Sequence, residues 1–192
     1  MFFRVIKIVI FTIILPIYYR LKIVLYKYIV GNEALSYVLY DSLFPTIVLK
    51  IGSATVGKGT RINRWLTIHE SRGSFKKLVI GDKVHIGKHV LIDLSESVII
   101  KDRVGIGMFS KIITHRNLGD SKLHNIYNTF CAPVVIGEDT ILSANAIILA
   151  GTVLGSGCIV LPNSVVKGHY DDNVTLVGNP ARMSIRLKKH QD

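Results

Sequence analysis

The sequence predicts an all-β solenoid: a parallel β-helix of about five coils, with an N-terminal apolar helical arm and one protruding loop. Three observations carry that prediction. Between Val135 and Val166 an aliphatic residue returns every six positions, at Ile136, Leu142, Ile148, Leu154, Val160 and Val166. Four positions after each of the first five stands a small residue: Thr140, Ala146, Thr152, Cys158 and Ser164. The same aliphatic phase recurs upstream in blocks of three. A helix repeats at 3.6 and an alternating strand at 2, so neither yields a six. A short strand, a turn and another short strand do. The aliphatic side chain points inward, the small residue lets the chain turn, and three such sides close a triangular coil. Coils then stack at the strand spacing of about 4.8 Å.

Residues 1–49 read as an apolar, basic-flanked helical arm. Its uncharged run, Ile8–Tyr19, is twelve residues long and contains Pro16. A spanning helix needs about 20 apolar residues, so the run is too short to cross a bilayer. Arg4, Lys7, Arg20, Lys22 and Lys27 bracket it, with aromatics at Phe11, Tyr18, Tyr19, Tyr26 and Tyr28. No small-x-small cleavage site follows, which argues against a secretion signal. The composition predicts a helical segment at the inner face of the cytoplasmic membrane, held by apolar burial and by cations on anionic lipid. The competing reading is a hydrophobic hairpin packed on the β-helix or on a partner subunit. Residues 33–50 predict a short connecting helix broken at Pro45.

The coils follow, in a β-helix domain spanning 50–175. Val56, Ile62 and Ile68 make the first, Ile80, Ile86 and Ile92 the second, and Ile100, Ile106 and Ile112 the third. Ile136, Leu142 and Ile148 make the fourth, and Leu154, Val160 and Val166 the fifth. The interruptions His69–Val79, Val98–Ile99 and Arg116–Val135 all fall between the third side of one coil and the first side of the next. Loops on repeat proteins commonly share one working face. Residues 176–192 read as a basic C-terminal tail.

The 192 residues fit one principal domain. The net charge of +11 and pI near 9.7 favour an anionic partner: a membrane surface, a phosphate-bearing ligand or nucleic acid. Nucleic acid is disfavoured, because no zinc-finger spacing, RNP-type aromatic motif or regular basic helix is present. Cys131 and Cys158 lack CxxC spacing, and Cys158 occupies a repeat position, where it reads as a small packing residue.

His115 stands at the interrupted corner, three residues after Ile112 and at the mouth of the long excursion. Stacking Ile92 under Ile112 puts Asp93 about one strand spacing below and two residues back, roughly 7–9 Å between backbones. A carboxylate spans that gap. An imidazole is suited to proton removal near neutrality, so His115 reads as a general base. Asp93 reads as an orienting or a substrate-binding group. From the residues alone His115 equally fits an ordinary loop position, with Asp93 capping a turn. His85 and His89 alternate around Ile86 and read as solvent-facing; His124 is mid-loop, and His169 and His190 lie beyond the repeats.

The hexads, the histidine in ITHRN opening a long loop, and SVVKG followed by VGNPARMSIR together resemble the hexapeptide-repeat acyltransferases. The resemblance covers about residues 50–187 and is strongest to the surface-polysaccharide and sugar O-acetyltransferases. It implies a left-handed parallel β-helix, a homotrimer with active sites between subunits, acetyl-CoA as donor, and no metal. It implies acetyl transfer to a saccharide hydroxyl in capsule or lipopolysaccharide biosynthesis. By position, His115 matches the catalytic histidine and Asp93 an acceptor-side aspartate. Ser143 and Ala144 match the amides along the pantetheine arm. Lys167, Arg182 and Arg186 match the cations near the nucleotide phosphates, where charge neutralisation is the physical need.

The chain departs from that pattern in two ways. It lacks a clear counterpart of the acceptor-side asparagine of the small soluble enzymes, and its arm is more apolar. Both point away from a free soluble sugar and toward an acceptor at a membrane. Three other readings share the fold: an N-acyltransferase on an amino-sugar nucleotide, a non-catalytic trimeric membrane scaffold, and a zinc lyase. The zinc lyase needs three histidines meeting at a subunit boundary, a pattern that His69, His85, His89 and His115 do not make.

Overall fold

The computed structural model describes residue 6 and residues 8–186, and these wind into a parallel β-helix capped at its N-terminal end by helices. The three sides carry the hexad positions in strict register. The first stacks Val56, Ile80, Ile100, Ile136, Leu154 and Tyr170. The second stacks Ile62, Ile86, Ile106, Leu142, Val160 and Leu176. The third stacks Ile68, Ile92, Ile112, Ile148 and Val166. From Ile80 to Val166 every one of these aliphatics is at most 1% exposed. Each contributes about 1.5–3 kcal/mol by burial, which makes the repeat itself the core.

The small residues close the corners. Thr140 Oγ1 donates to the Gly155 carbonyl at 2.9 Å and accepts from the Cys158 amide at 3.1 Å, joining one coil to the next. The position before each small residue takes a left-handed backbone: Asp139, Asn145, Gly151, Gly157 and Asn163, with φ between 57° and 80°. Asn, Asp and Gly suit that conformation. In the first three coils the corner between the second and third sides holds Trp65, His89 and Phe109 instead, at φ 64°, 56° and 62°. Their rings stack at 4.8 and 5.1 Å, which offsets the roughly 1–2 kcal/mol such a conformation costs an L-residue.

The C-terminal end differs from the expected five coils. Tyr170 pairs above Leu154 and Leu176 above Val160, so the chain makes two sides of a sixth turn. The step from Val166 to Tyr170 is four residues rather than six, a shortcut at the interrupted corner that breaks the phase. Residues 176–186 are therefore not a free tail. The strand Val174–Gly178 completes the second side, and Ala181–Arg186 folds back antiparallel against it and covers its open edge. The remaining tail, from 187, lies outside the described residues, as do Arg4 and Lys7.

At the other end, helix α1 (Leu15–Val30) leads into α2 (Ala34–Tyr40) and α3 (Pro45–Ile51). Pro45 starts α3, where its missing N–H leaves nothing unpaired, so the expected break at Pro45 is the boundary between two helices. Val38, Leu39, Val48 and Leu49 are fully buried and seal the end of the prism with Phe75. Gly52 is required there, because a Cβ would fall 2.4 Å from the Phe75 ring. Just before α1, at Ile10–Ile14, the helix widens to a π-type turn, as Pro16 has no N–H for an i→i−4 bond.

α1 is apolar on two faces. Leu15, Tyr19, Ile23 and Tyr26 pack on the core. Ile17, Leu21, Val24, Leu25 and Tyr28 face outward, each more than half exposed. Among the described residues no helix is long and apolar enough to cross a membrane. One face of α1 thus packs on the core and its other face is uncovered.

Candidate active site

The interrupted corner holds His115 as expected. The third-side strand Leu91–Asp93 ends on Asp93, and one coil up Lys111–Ile112 runs through Thr114 to His115. The excursion that follows opens as a hairpin stem in which His115 pairs with Cys131 and Arg116 with Phe130. The Ala132 amide bonds back to the Thr114 carbonyl at 2.9 Å, which fixes the loop mouth.

Asp93 is 1% exposed and fully hydrogen-bonded. Its Oδ2 accepts from the Thr114 amide at 2.8 Å, the Thr114 hydroxyl at 2.7 Å and His115 Nδ1 at 2.7 Å. Its Oδ1 accepts from the Ser95 amide at 3.1 Å and the Ser95 hydroxyl at 2.8 Å. Burial alone pushes the carboxyl pKa up, but the bonds from His115, Thr114 and Ser95 outweigh it and hold the group at about 2. An ionised Asp93 only accepts, so the network assigns the imidazole proton to Nδ1. Ser95 Oγ gives its own proton to Asp93 and lies 3.0 Å from Nδ1, where its lone pair also meets that N–H. Nε2 is left with its lone pair free.

His115 lines a cavity of about 340 Å³ with Asn117, Phe130, Leu149, Ala150 and Lys167. Asp93 does not line it, so its two expected roles separate: its oxygens face His115 and its neighbours, not the space where a substrate would sit. Lys167 shares the cavity with the histidine. Ser143 and Ala144 do not. They line a second recess of about 560 Å³, with His85, Lys88 and Met108, at the corner between the second and third sides. Within one chain that corner is separate from His115. Arg182 is exposed on the terminal strand, paired with Val177, and the Arg186 backbone pairs with Val174.

Ser95, Thr114 and His69 are site residues that the sequence reading did not assign. Ser95 follows Asp93 by two, the spacing of a carboxylate that caps its own turn. Thr114 adjoins the histidine, and its hydroxyl also accepts from the Glu96 amide at 3.0 Å. His69 pairs directly below Asp93, and its ring centre lies 5.9 Å from that of His115. Among the described residues no group of three or more His, Cys, Asp or Glu is placed to hold a metal ion.

Fold and repeat together define a parallel β-helix built on a six-residue repeat. Residues 133–168 match the family model of the bacterial transferase hexapeptide (six repeats). A Mycobacterium tuberculosis protein assigned as an acetyltransferase is 28% identical over 137 residues, which is 70% of this chain and 44% of that protein. An Escherichia coli protein assigned as a lipopolysaccharide biosynthesis O-acetyl transferase is 29% identical over 121 residues, 58% of this chain and 57% of its own. The chain thus spans about half the length of these curated relatives. A Vibrio cholerae hexapeptide-repeat acetyltransferase, solved with acetyl-CoA, superposes with a TM-score of 0.72 at 24% identity, covering 82% of this chain and 86% of that one. That likeness speaks to the fold.

Proposed function

We propose that the chain is an acetyl-CoA-dependent O-acetyltransferase that acts on a saccharide hydroxyl in surface-polysaccharide assembly. The observation that carries this reading is the imidazole of His115, held by Asp93 through Nδ1 with Nε2 free at a cavity. A hydroxyl docked on Nε2 loses its proton there as its oxygen attacks the thioester carbonyl. The C–S bond then breaks, and the imidazolium returns the proton to the departing thiolate. The ionised Asp93 stabilises the imidazolium and fixes the ring, a positioning role. Lys167 faces the donor as a point charge.

The separation of Ser143 and Ala144 from His115 within one chain fits a homotrimer. There the recess of one subunit would face the histidine corner of the next and form the donor's second wall. Arg182, near the end of the solenoid, would meet the nucleotide phosphates. The exposed face of α1 would hold the enzyme on the inner face of the membrane, beside lipid-linked acceptors.

Thiol release from acetyl-CoA, measured with hydroxyl and amine sugars, tests the reading. Release that needs a hydroxyl acceptor and falls about 10²–10⁴-fold in His115→Ala supports it. Release with amine sugars alone reassigns the chain as an N-acyltransferase. Absence of acetyl-CoA binding leaves the trimeric scaffold.

A further inference from the structure

We propose that the groove between α2 and the strand Thr67–His69 binds the acceptor, and that the ring it holds is an uncharged sugar. The proposal rests on the acyltransferase reading of His115. The groove encloses about 550 Å³, within the range of small-molecule sites. Tyr37 and Tyr40 of α2 form one wall, 56% and 43% exposed, with Glu33 just before them. His69 and Glu70 form the other.

The groove shares no lining residue with the cavity of His115 and abuts the site through the ring of His69. His69 sits one coil below Asp93 in register, and its ring is inclined 27° to that of His115 at 5.9 Å. A ligand against His69 is therefore one imidazole away from the base. The floor is fixed, because the Ser36 hydroxyl bonds that of Ser71 at 3.1 Å and ties α2 to the loop after His69. Glu70 and Arg72 in that loop hold left-handed backbones, φ 53° and 47°, a strained turn of the kind kept at ligand sites.

The chemistry of the walls selects the ligand. Tyrosine faces pack on the C–H face of a pyranose, and carboxylates accept sugar hydroxyls. Glu70 lies 3.8 Å from both His69 Nε2 and Arg72 Nε, ion-pair rather than hydrogen-bond distances, so its lone pairs remain for a ligand. Glu33 and Glu70 line the groove while Arg72, the partner of Glu70, does not, so the lining presents excess negative charge that disfavours a uronate or phosphate at this subsite.

Ligand-observed NMR on the full chain, with methyl hexopyranosides and the matching hexuronates, is the test. Neutral glycosides are expected to bind at millimolar concentration, and hexuronates at least about tenfold more weakly. Tyr37→Ala should weaken the neutral sugars about tenfold. Glu70→Gln should bring the two classes within about threefold of each other, which a merely structural role would not do. The proposal is overturned if no neutral glycoside binds, if uronates bind equally well, or if Glu70→Gln leaves their ratio unchanged. Acetyl-CoA binding by calorimetry on the same protein separates the two ideas. Its loss sinks the acyltransferase reading, whereas donor binding with no sugar binding sinks the groove alone.

Discussion

Asp93 Oδ2 lies 2.7 Å from His115 Nδ1, and the same oxygen takes the amide and hydroxyl of Thr114, the residue just before the histidine. The ring and the backbone that carries it are thus anchored on one atom. Asp93→Asn keeps the shape, and its carboxamide oxygen can still face the Thr114 amide and Nδ1, but the negative charge is gone. The imidazolium formed during proton removal then has no counter-charge, and the base is weakened. We expect kcat to fall about 10²–10⁴-fold with the acetyl-CoA KM little changed and the circular dichroism intact. A fall of less than about threefold would remove Asp93 from the mechanism.

The same carboxylate predicts an acid limit to stability. Its folded pKa of about 2 lies below the unfolded value near 3.9. Between these values the unfolded chain binds the proton and the folded chain does not, so stability rises with pH there. The contribution, about 2–3 kcal/mol, is complete above about pH 5 and is lost as pH falls toward 2. Urea midpoints of wild type and Asp93→Asn should converge over that window. Parallel curves from pH 6 to 2 would contradict it.

Much of this was legible in the sequence, for reasons that differ by residue. Every hexad aliphatic from Val56 to Val166 falls on its assigned side, since an inward side chain every six residues has only one packing solution. His115 stood out because it opens the longest interruption. The sixth turn was not legible, as the four-residue step to Tyr170 hid Leu176, although Tyr170 and Leu176 are themselves six apart. Thr114 escaped because its bonds to Asp93 arise only when two coils stack, whereas Ser95 stands two residues after Asp93, a turn-capping spacing that was there to read. The weak helical period of residues 15–30 has a physical cause: α1 buries Tyr19 on one side and exposes Leu25 on the other.

The sixth turn carries its own test. Leu176 is fully buried at the end of the second side, so Leu176→Ala leaves a cavity over Val160. A loss of about 2–5 kcal/mol in unfolding free energy is expected. A loss below about 1 kcal/mol would mean that the end of the prism is loosely packed and that Ala181–Arg186 does not seal it.

Lys167 shares the cavity of His115 and is exposed, so its effect should be electrostatic and on binding. Lys167→Ala should raise the acetyl-CoA KM roughly three- to tenfold with kcat within about twofold, and added salt should shrink the difference. An equal fall in kcat with no change in KM would place the ammonium at the reacting carbonyl instead.

The outward stripe of α1 makes the last prediction. Leu21, Leu25 and Tyr28 are spaced to share one helix face and are 66%, 61% and 88% exposed, with Arg20 and Lys27 exposed beside them. An apolar face bordered by cations suits an anionic bilayer surface, where each buried methylene is worth about 0.8 kcal/mol. The full chain should co-sediment with phosphatidylglycerol-containing vesicles, less with purely zwitterionic ones, and progressively less as salt rises. Leu21→Glu with Leu25→Glu should weaken binding by about tenfold or more while leaving the core-facing Leu15, Tyr19 and Ile23 undisturbed. If wild type ignores vesicles of either kind and the double variant instead lowers the sedimentation coefficient, the face is covered by protein, and the arm is an assembly element rather than a membrane one.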